Sequence, residues 1–466
     1  MSKLYIFGIG GTGSRVLRSL TMMMAAGVKI GADEIVPIII DPDAANADLT
    51  RAVTLMNNYR NIRKHLSFPK ESKNTFFRKE LGQIFANYTL RINDTDDKTF
   101  QSFIELPSMT RSNQAMCRML FSEKNLSSHM DVGFKGNPNI GSVVLNQIVN
   151  SEDFKAFANS YEQGDKIFII SSIFGGTGAS GFPLLLKTLR KGNSFPNNDI
   201  INNSEIGAVT ILPYFKLQVD EDSEIESSTF ISKTKSALTY YENNISRNGQ
   251  INAMYYLADD VTNTYENHEG GTGQKNDAHL IEFLAASAVV DFSNKEHLGT
   301  THKELGVKDI SGCVTFNSFH EELNQWLRLP LTQFTLMSNC FKNQYDYVTS
   351  TRLQANNKSG FVEHGLYNNQ YFSYLRKIMD GYREWLTEMK DNKRSLDLFN
   401  LESGNTPFNV VTDVKPRKLV SILSNYDLFF DRLNDAIKHC SGDDNNKLLE
   451  MYALATEKLS KEKFNF

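Results

Sequence analysis

Two segments of this chain repeat one pattern: a short apolar strand, a turn built on glycine–threonine–glycine, and an amphipathic helix. The first is YIFGIGGTGSRVLRSL (Tyr5–Leu20) and the second is IISSIFGGTGASGFPLLL (Ile169–Leu186). Glycines let a backbone come close to a phosphate, and a helix N-terminus offers free N–H groups and a partial positive charge. The candidate contacts are Gly10, Gly11, Thr12, Gly13 and Ser14 in the first segment. In the second they are Gly175, Gly176, Thr177, Gly178, Ala179 and Ser180. Both glycine runs are expected to be loops, with helices starting at Ser14 and Gly181. A dinucleotide fold needs one pyrophosphate grip, which leaves the second segment without a task. A triphosphate held from two sides employs both. There is no GxxxxGK[ST], so a P-loop is not the route.

Further apolar runs place strands at Leu4–Gly8, Ile35–Ile40, Lys166–Ser171, Ile206–Leu212 and Met254–Leu257. Helical patterns follow at Gly13–Ala26, Gly181–Lys191 and Ile231–Ile245. Short apolar strands alternating with helices predict an α/β fold with a Rossmann-like parallel sheet covered on both faces. The 50–158 region reads as an insertion, mostly helical. From 301 to 466 the pattern changes to long amphipathic helices. Tyr371, Tyr374, Ile378, Tyr382, Trp385 and Met389 share one face. So do Leu419, Ile422, Tyr426, Phe429, Leu433 and Ile437, and likewise Leu448, Met451, Ala455 and Leu459. The expected division is a nucleotide-binding domain over 1–300 and a mostly helical C-terminal domain over 301–466.

A formal net charge of −4 gives no electrostatic ground for nucleic-acid binding. No apolar run approaches the roughly 20 residues that span a bilayer, so an integral membrane protein is not expected. The four cysteines are scattered, and the chain enters a strand without a leader, which suits a reducing cytoplasm. Asp41 and Asp43 close the second strand. They suit ribose hydroxyls, or a magnesium ion and ATP, or simply the end of a strand. His279 and Glu282 lie three apart at a helix start and read as structural, and the GGTG at 270–273, with no apolar strand before it, reads as loop.

The second segment, as FGGTGASGFP, resembles the GGGTG[ST]G phosphate loop of the tubulin/FtsZ superfamily, with Pro183 in register. GIGGTGSR is similar to the first loop of that family. IIDPDAANAD looks like the segment that ends its second strand and touches nucleotide and metal, adding Ala44 to Asp41 and Asp43. IGAVTILPYF resembles the strand before its ribose-contacting loop. TRSNQAMCRMLF resembles a stretch of divergent bacterial members in which Gln114 and Arg118 would approach the terminal phosphate. The resemblance covers about residues 1–300. It implies a GTPase domain of tubulin/FtsZ type with a central helix, holding GTP or GDP with Mg2+. It also implies a guanine contact from Asn276 (Asp277 as the alternative) and head-to-tail self-assembly with hydrolysis between subunits.

The chain departs from the pattern in four places. Phe174 replaces the first glycine, and Ala179-Ser180 stand where [ST]-Gly is usual. Ser14-Arg15 stand where Asn is frequent, and the catalytic NxDxxD is reduced to Asp291 in AVVDFSNKEH. Nucleotide binding is therefore the firmer expectation, and hydrolysis through Asp291 the weaker. Two other readings compete. One is a nucleotide-responsive scaffold with little turnover that binds a protein partner through its helical C-terminal domain. The other is an ATP-dependent adenylating enzyme of the ubiquitin-activating type, which GIGGTGS and DPDAANADLTR resemble, but which gives FGGTGASGFP no role.

Overall fold

The computed structural model describes residues 2–93, 95, 97–130, 133–134, 136–218, 229–261, 263–265, 271–273, 275–299, 301–306, 312–350, 352–353, 364–417 and 424–466. Leu419, Ile422 and Gly270 of the sequence patterns lie outside these residues.

Among the described residues seven strands form one sheet: β1 (Lys3–Ile9), β2 (Glu34–Ile40), β3 (Glu80–Leu81), β4 (Lys166–Ser172), β5 (Glu205–Ile211), β7 (Ala253–Leu257) and β9 (Lys303–Gly306). Their order is β3-β2-β1-β4-β5-β7-β9, and every neighbouring pair is parallel. The short strands β6 (Phe215–Leu217) and β8 (Asn263–Tyr265) pair separately. β1, β2, β4 and β5 are buried along almost their whole length, which is why they read as unbroken apolar runs. The last strand comes from beyond residue 300.

The helices that matter below are α1 (Gly10–Ala25), α2 (Ala47–Arg63), α3 (Arg111–Leu120), α4 (Pro138–Leu145), α5 (Gly176–Lys191), α6 (Phe230–Tyr241), α7 (Leu280–Asn294), α8 (Glu321–Asn343), α9 (Gln370–Asp391), α10 (Asn425–Ala436) and α11 (Asp444–Lys463). α1 packs against both α2 and α7, and α5 packs against α4. α7 is buried almost all round, as a central helix is. The C-terminal helices are long, as their stripes predict: Tyr371, Ile378, Tyr382, Trp385 and Met389 of α9 are all buried. α9 packs on α2 and α1, so the helical region shares a core with the sheet domain.

Two expectations are corrected. The stretch after α2 is less helical than its sequence suggests: between Lys64 and Asn137 it carries short helical turns, α3 and the edge strand β3. The glycine runs are not loops, because α1 begins at Gly10 and α5 at Gly176. Close packing on the sheet outweighs the low helix propensity of glycine. A β-carbon on Gly13 would lie 2.3 Å from the Gly8 carbonyl carbon, and one on Gly178 would lie 2.6 Å from the Ser172 carbonyl oxygen. Only glycine lets each helix start this close to its own strand.

Candidate functional site

The chain runs outward from β1 to β2 and β3, then returns to β4 on the other side of β1. This reversal is a topological switch point, where parallel sheets open a crevice beyond the carboxyl ends of their strands. Both glycine helices start at that edge, from the ends of β1 and β4. They face each other: a β-carbon on Gly10 would lie 3.5 Å from the Thr177 β-carbon and 3.9 Å from the Gly178 nitrogen.

Neither helix start is capped by a side chain, and neither has an acidic residue in its first turn. Side chains cap all of the other helices named above except α6. Asn46 caps α2, Thr110 caps α3, Asn369 caps α9 and Asp443 caps α11. Two uncapped N-termini leave orphan N–H groups and two partial positive charges on one crevice, which is a site for an anion of several phosphates. Gly11, Gly175, Thr177 and Ala179 are partly exposed there, whereas Gly10, Thr12, Gly13, Gly176 and Gly178 are buried. Ser180 turns its hydroxyl back to the Gly176 carbonyl (2.7 Å) within its helix. The Ser14 hydroxyl is fully buried with no hydrogen-bond partner among the described residues.

Asp41 follows directly on β2. Its Oδ1 accepts from the Asp43 backbone N–H (3.1 Å), and its Oδ2 is buried without a partner among the described residues. Burial, with Asp43 and Asp48 nearby, pushes its carboxyl up to about 7. Asp43 accepts from the backbone N–H groups of Ala45 (3.1 Å) and Gly271 (2.6 Å), so the 271–273 turn closes over this corner. Ala44 is exposed at the tip of the same turn.

Beneath the crevice lies a buried polar cluster. Arg15 donates to Glu282 (2.5 Å), Asp48 (2.8 Å), the Tyr214 hydroxyl (3.0 Å) and, more distantly, the Thr12 hydroxyl (3.4 Å). Tyr214 in turn donates to Glu282 (3.1 Å). Asn276 is drawn into the cluster: its side-chain amide (3.0 Å) and backbone N–H (3.2 Å) both donate to Asp48, and its carbonyl accepts from Arg51. Asp277 is exposed beside it. His279 and Glu282 form a reciprocal cap at the start of α7. Burial, helped by Arg15 and Arg394, pushes His279 down to about 3, so the ring is neutral and serves as a cap.

Three candidates, Gln114, Arg118 and Asp291, find their partners outside this crevice. Gln114 sits on α3, a helix without a buried residue, and its amide donates to the carbonyls of Met109 (2.9 Å) and Pro107 (3.2 Å). Arg118 pairs with Glu123 (3.3 Å). Asp291 stands three turns along α7, which runs from the crevice to the opposite edge of the sheet. There Ser293 accepts from Gly31 N–H (3.1 Å), and Lys166, the first residue of β4, donates to the Lys295 carbonyl (3.3 Å). The Asp291 carboxylate accepts from the Tyr255 hydroxyl and pairs with Lys295.

Arg15, Asp48, Tyr214 and Glu388 belong to this site without being among the candidate contacts of the sequence motifs. The signal for the first two was charge on an otherwise apolar helix face, Arg15 in α1 and Asp48 in the first turn of α2. Glu388 gave no local signal.

Gly178→Ala is expected to destabilise the fold by about 1–3 kcal/mol, because the new methyl meets backbone that cannot move aside. Gly175→Ala meets only the rotatable Ser172 hydroxyl at 3.0 Å and is expected to cost well under half of that. Urea denaturation of the two variants side by side checks the contrast.

No family model matches the chain, and no curated protein sequence matches it. Among solved structures it is similar to CetZ1 from Haloferax volcanii as a GDP-bound monomer, at 16% identity and a TM-score of 0.28, covering 55% of this chain and 51% of that one. It is also similar to CetZ2 from Haloferax volcanii as a GTPγS-bound protofilament, at 14% identity and a TM-score of 0.29, covering 63% and 58%. A third is CetZ from Methanosaeta thermophila, at 14% identity and a TM-score of 0.30, covering 64% and 57%. The chain thus spans little more than half the length of these structures. Scores this low carry neither fold nor function across, and the architecture stands on the parallel sheet itself.

Proposed function

We propose that the crevice binds a guanine nucleoside triphosphate with its phosphates between α1 and α5. We further propose that the chain is a tubulin/FtsZ-like GTP-binding protein that assembles head to tail. The observation that carries this reading is the pair of uncapped glycine helices facing each other at the strand switch point. The backbone N–H groups around Gly10–Ser14 hold one side of the triphosphate, and those around Gly175–Ser180 hold the other. Asp43 and Ala44 border the ribose, with Asp41 on the phosphate side of them, and Asn276 reads the base edge. A magnesium ion would neutralise phosphate charge. Asp41, whose Oδ2 has no partner, would hold it.

Hydrolysis is assigned to the junction between copies. Asp291 lies at the sheet edge opposite the crevice, so its carboxylate serves the nucleotide of a neighbouring copy rather than its own. Head-to-tail contacts of this kind are heterologous and extend into filaments unless the rotation closes. A second reading, a GTP-responsive scaffold with little turnover, has one observation in its favour. Asp291 is already engaged by Tyr255 and Lys295, which competes with positioning a water.

Calorimetry with GTP, GDP and ATP tests binding, with saturable binding of guanine nucleotides in preference to ATP as the expected result. Failure of all three to bind removes the proposal. GTPase rate across a protein concentration series separates the two readings. A specific rate that climbs with concentration supports catalysis between copies; binding with a flat, negligible rate supports the scaffold.

A further inference from the structure

Glu388 belongs to α9, more than a hundred residues after Asn276, yet its carboxylate ends beside the segment that leads into α7. One oxygen accepts from Arg18 of α1 (2.6 Å) and from the backbone N–H of Ala278 (2.9 Å). The other accepts from Arg51 of α2 (3.1 Å) and, more weakly, from Arg18 (3.4 Å). Arg51 also donates to Asp48 (3.0 Å) and to the Asn276 carbonyl. Asn392, just past the end of α9, donates to the Ala278 carbonyl (3.4 Å). The three-residue stretch Asn276–Ala278 is therefore gripped at both its ends, directly by Glu388 and Asn392 at Ala278, and through Arg51 at Asn276. Glu388 is only 10% exposed, and two arginines share its charge, so the carboxylate is fixed in place.

We propose that Glu388 is a positioning residue for base selection, setting the backbone of Asn276–Ala278 so that Asn276, whose amide nitrogen is held by Asp48, presents its side-chain oxygen to the N–H donors of guanine. This rests on the reading of Asn276 as the base contact. It makes nucleotide choice depend on a helix of the C-terminal region, which forms no part of the phosphate grip. The physical reason is the high price of a misplaced polar contact. A hydrogen-bonding edge discriminates between bases only when its geometry is held, and a loop entering a helix is not held by its own backbone.

The test measures GTP, ATP and inorganic tripolyphosphate affinity for wild type, Glu388→Gln and Trp385→Phe. Trp385 lies one turn away on α9 and bonds Ser19 on α1 (3.1 Å), so its variant loosens the same helix without touching Asn276–Ala278. Glu388→Gln is expected to lower the GTP-over-ATP preference about tenfold, the loss of one charge-assisted hydrogen bond, while tripolyphosphate binding is unchanged. Trp385→Phe is expected to keep the preference. If Glu388→Gln does not fold, Asn392→Ala, which releases the other hold on Ala278, carries the same measurement. An unchanged preference in a folded Glu388→Gln or Asn392→Ala overturns the proposal. So does an equal loss of GTP and tripolyphosphate binding, which marks general damage to the site. A wild-type chain that binds GTP and ATP alike overturns the Asn276 reading itself, and this proposal with it.

Discussion

Arg15→Ala is expected to destabilise the fold by about 3–5 kcal/mol, because it breaks a buried ion cluster from one side. The guanidinium is 6% exposed and stands between the Glu282 and Asp48 carboxylates. Burial works to lower its pKa, but Tyr214, Glu282 and Asp48 more than offset this and hold it charged. Without it, Asp48 keeps Arg51 and Asn276, whereas Glu282 is left with the Tyr214 hydroxyl and the His279 backbone. Removing both charges is expected to cost less than removing one, so Arg15→Met with Glu282→Gln should recover part of the loss. Urea denaturation of the single and double variants at neutral pH measures both. A single-variant cost under about 1 kcal/mol would show that the carboxylates find other compensation, and the account of the cluster would fail.

Asp41→Asn is expected to act in the opposite direction. The folded Asp41 carboxyl holds its proton up to about pH 7, against an ordinary value of 3.8. Between those values the folded state binds a proton that the unfolded state has released. The contribution of Asp41 is therefore complete below about pH 4, declines as pH rises, and is gone above about 7. The wild-type chain at pH 8 bears a desolvation penalty of about 4 kcal/mol that asparagine does not. Asparagine keeps an oxygen for the Asp43 N–H and has no proton to lose. Asp41→Asn should accordingly be more stable than wild type at pH 8, with the difference closing towards pH 4, and it should bind Mg–GTP more weakly. Denaturation midpoints at several pH values, with GTP titrations in magnesium, test the two halves. A pH-independent difference would place the raised pKa elsewhere. A buried carboxylate with an unpartnered oxygen at the edge of a crevice is a stability cost of the kind that functional sites carry.

The legible parts of this chain were those governed by local pattern. β4 was expected at Lys166–Ser171 and is found at Lys166–Ser172, because an unbroken apolar run needs no tertiary knowledge. The α9 stripe was readable for the same reason, since 3.6-residue periodicity marks a buried face wherever the helix packs. The starts of α1 and α5 were misplaced because glycine argues for a loop locally, while the strand beneath each helix makes glycine necessary. Asn276 stands out in the sequence, but its ties to Asp48 and Arg51 do not, because those partners precede it by more than 200 residues.

By itself the sequence determined that there are two glycine-bearing strand–helix units, that their strands are buried, and that a helical region follows. Each of these is set by residues within a turn or two of one another. Only the tertiary structure decided that the two units meet at one crevice with their N-termini uncapped, and that Asp41 is cut off from water there. It alone brought Arg15 to Glu282 across 267 positions and Arg18 to Glu388 across 370. The strength of a buried charge depends on what surrounds it, and that surrounding is assembled from distant parts of the chain.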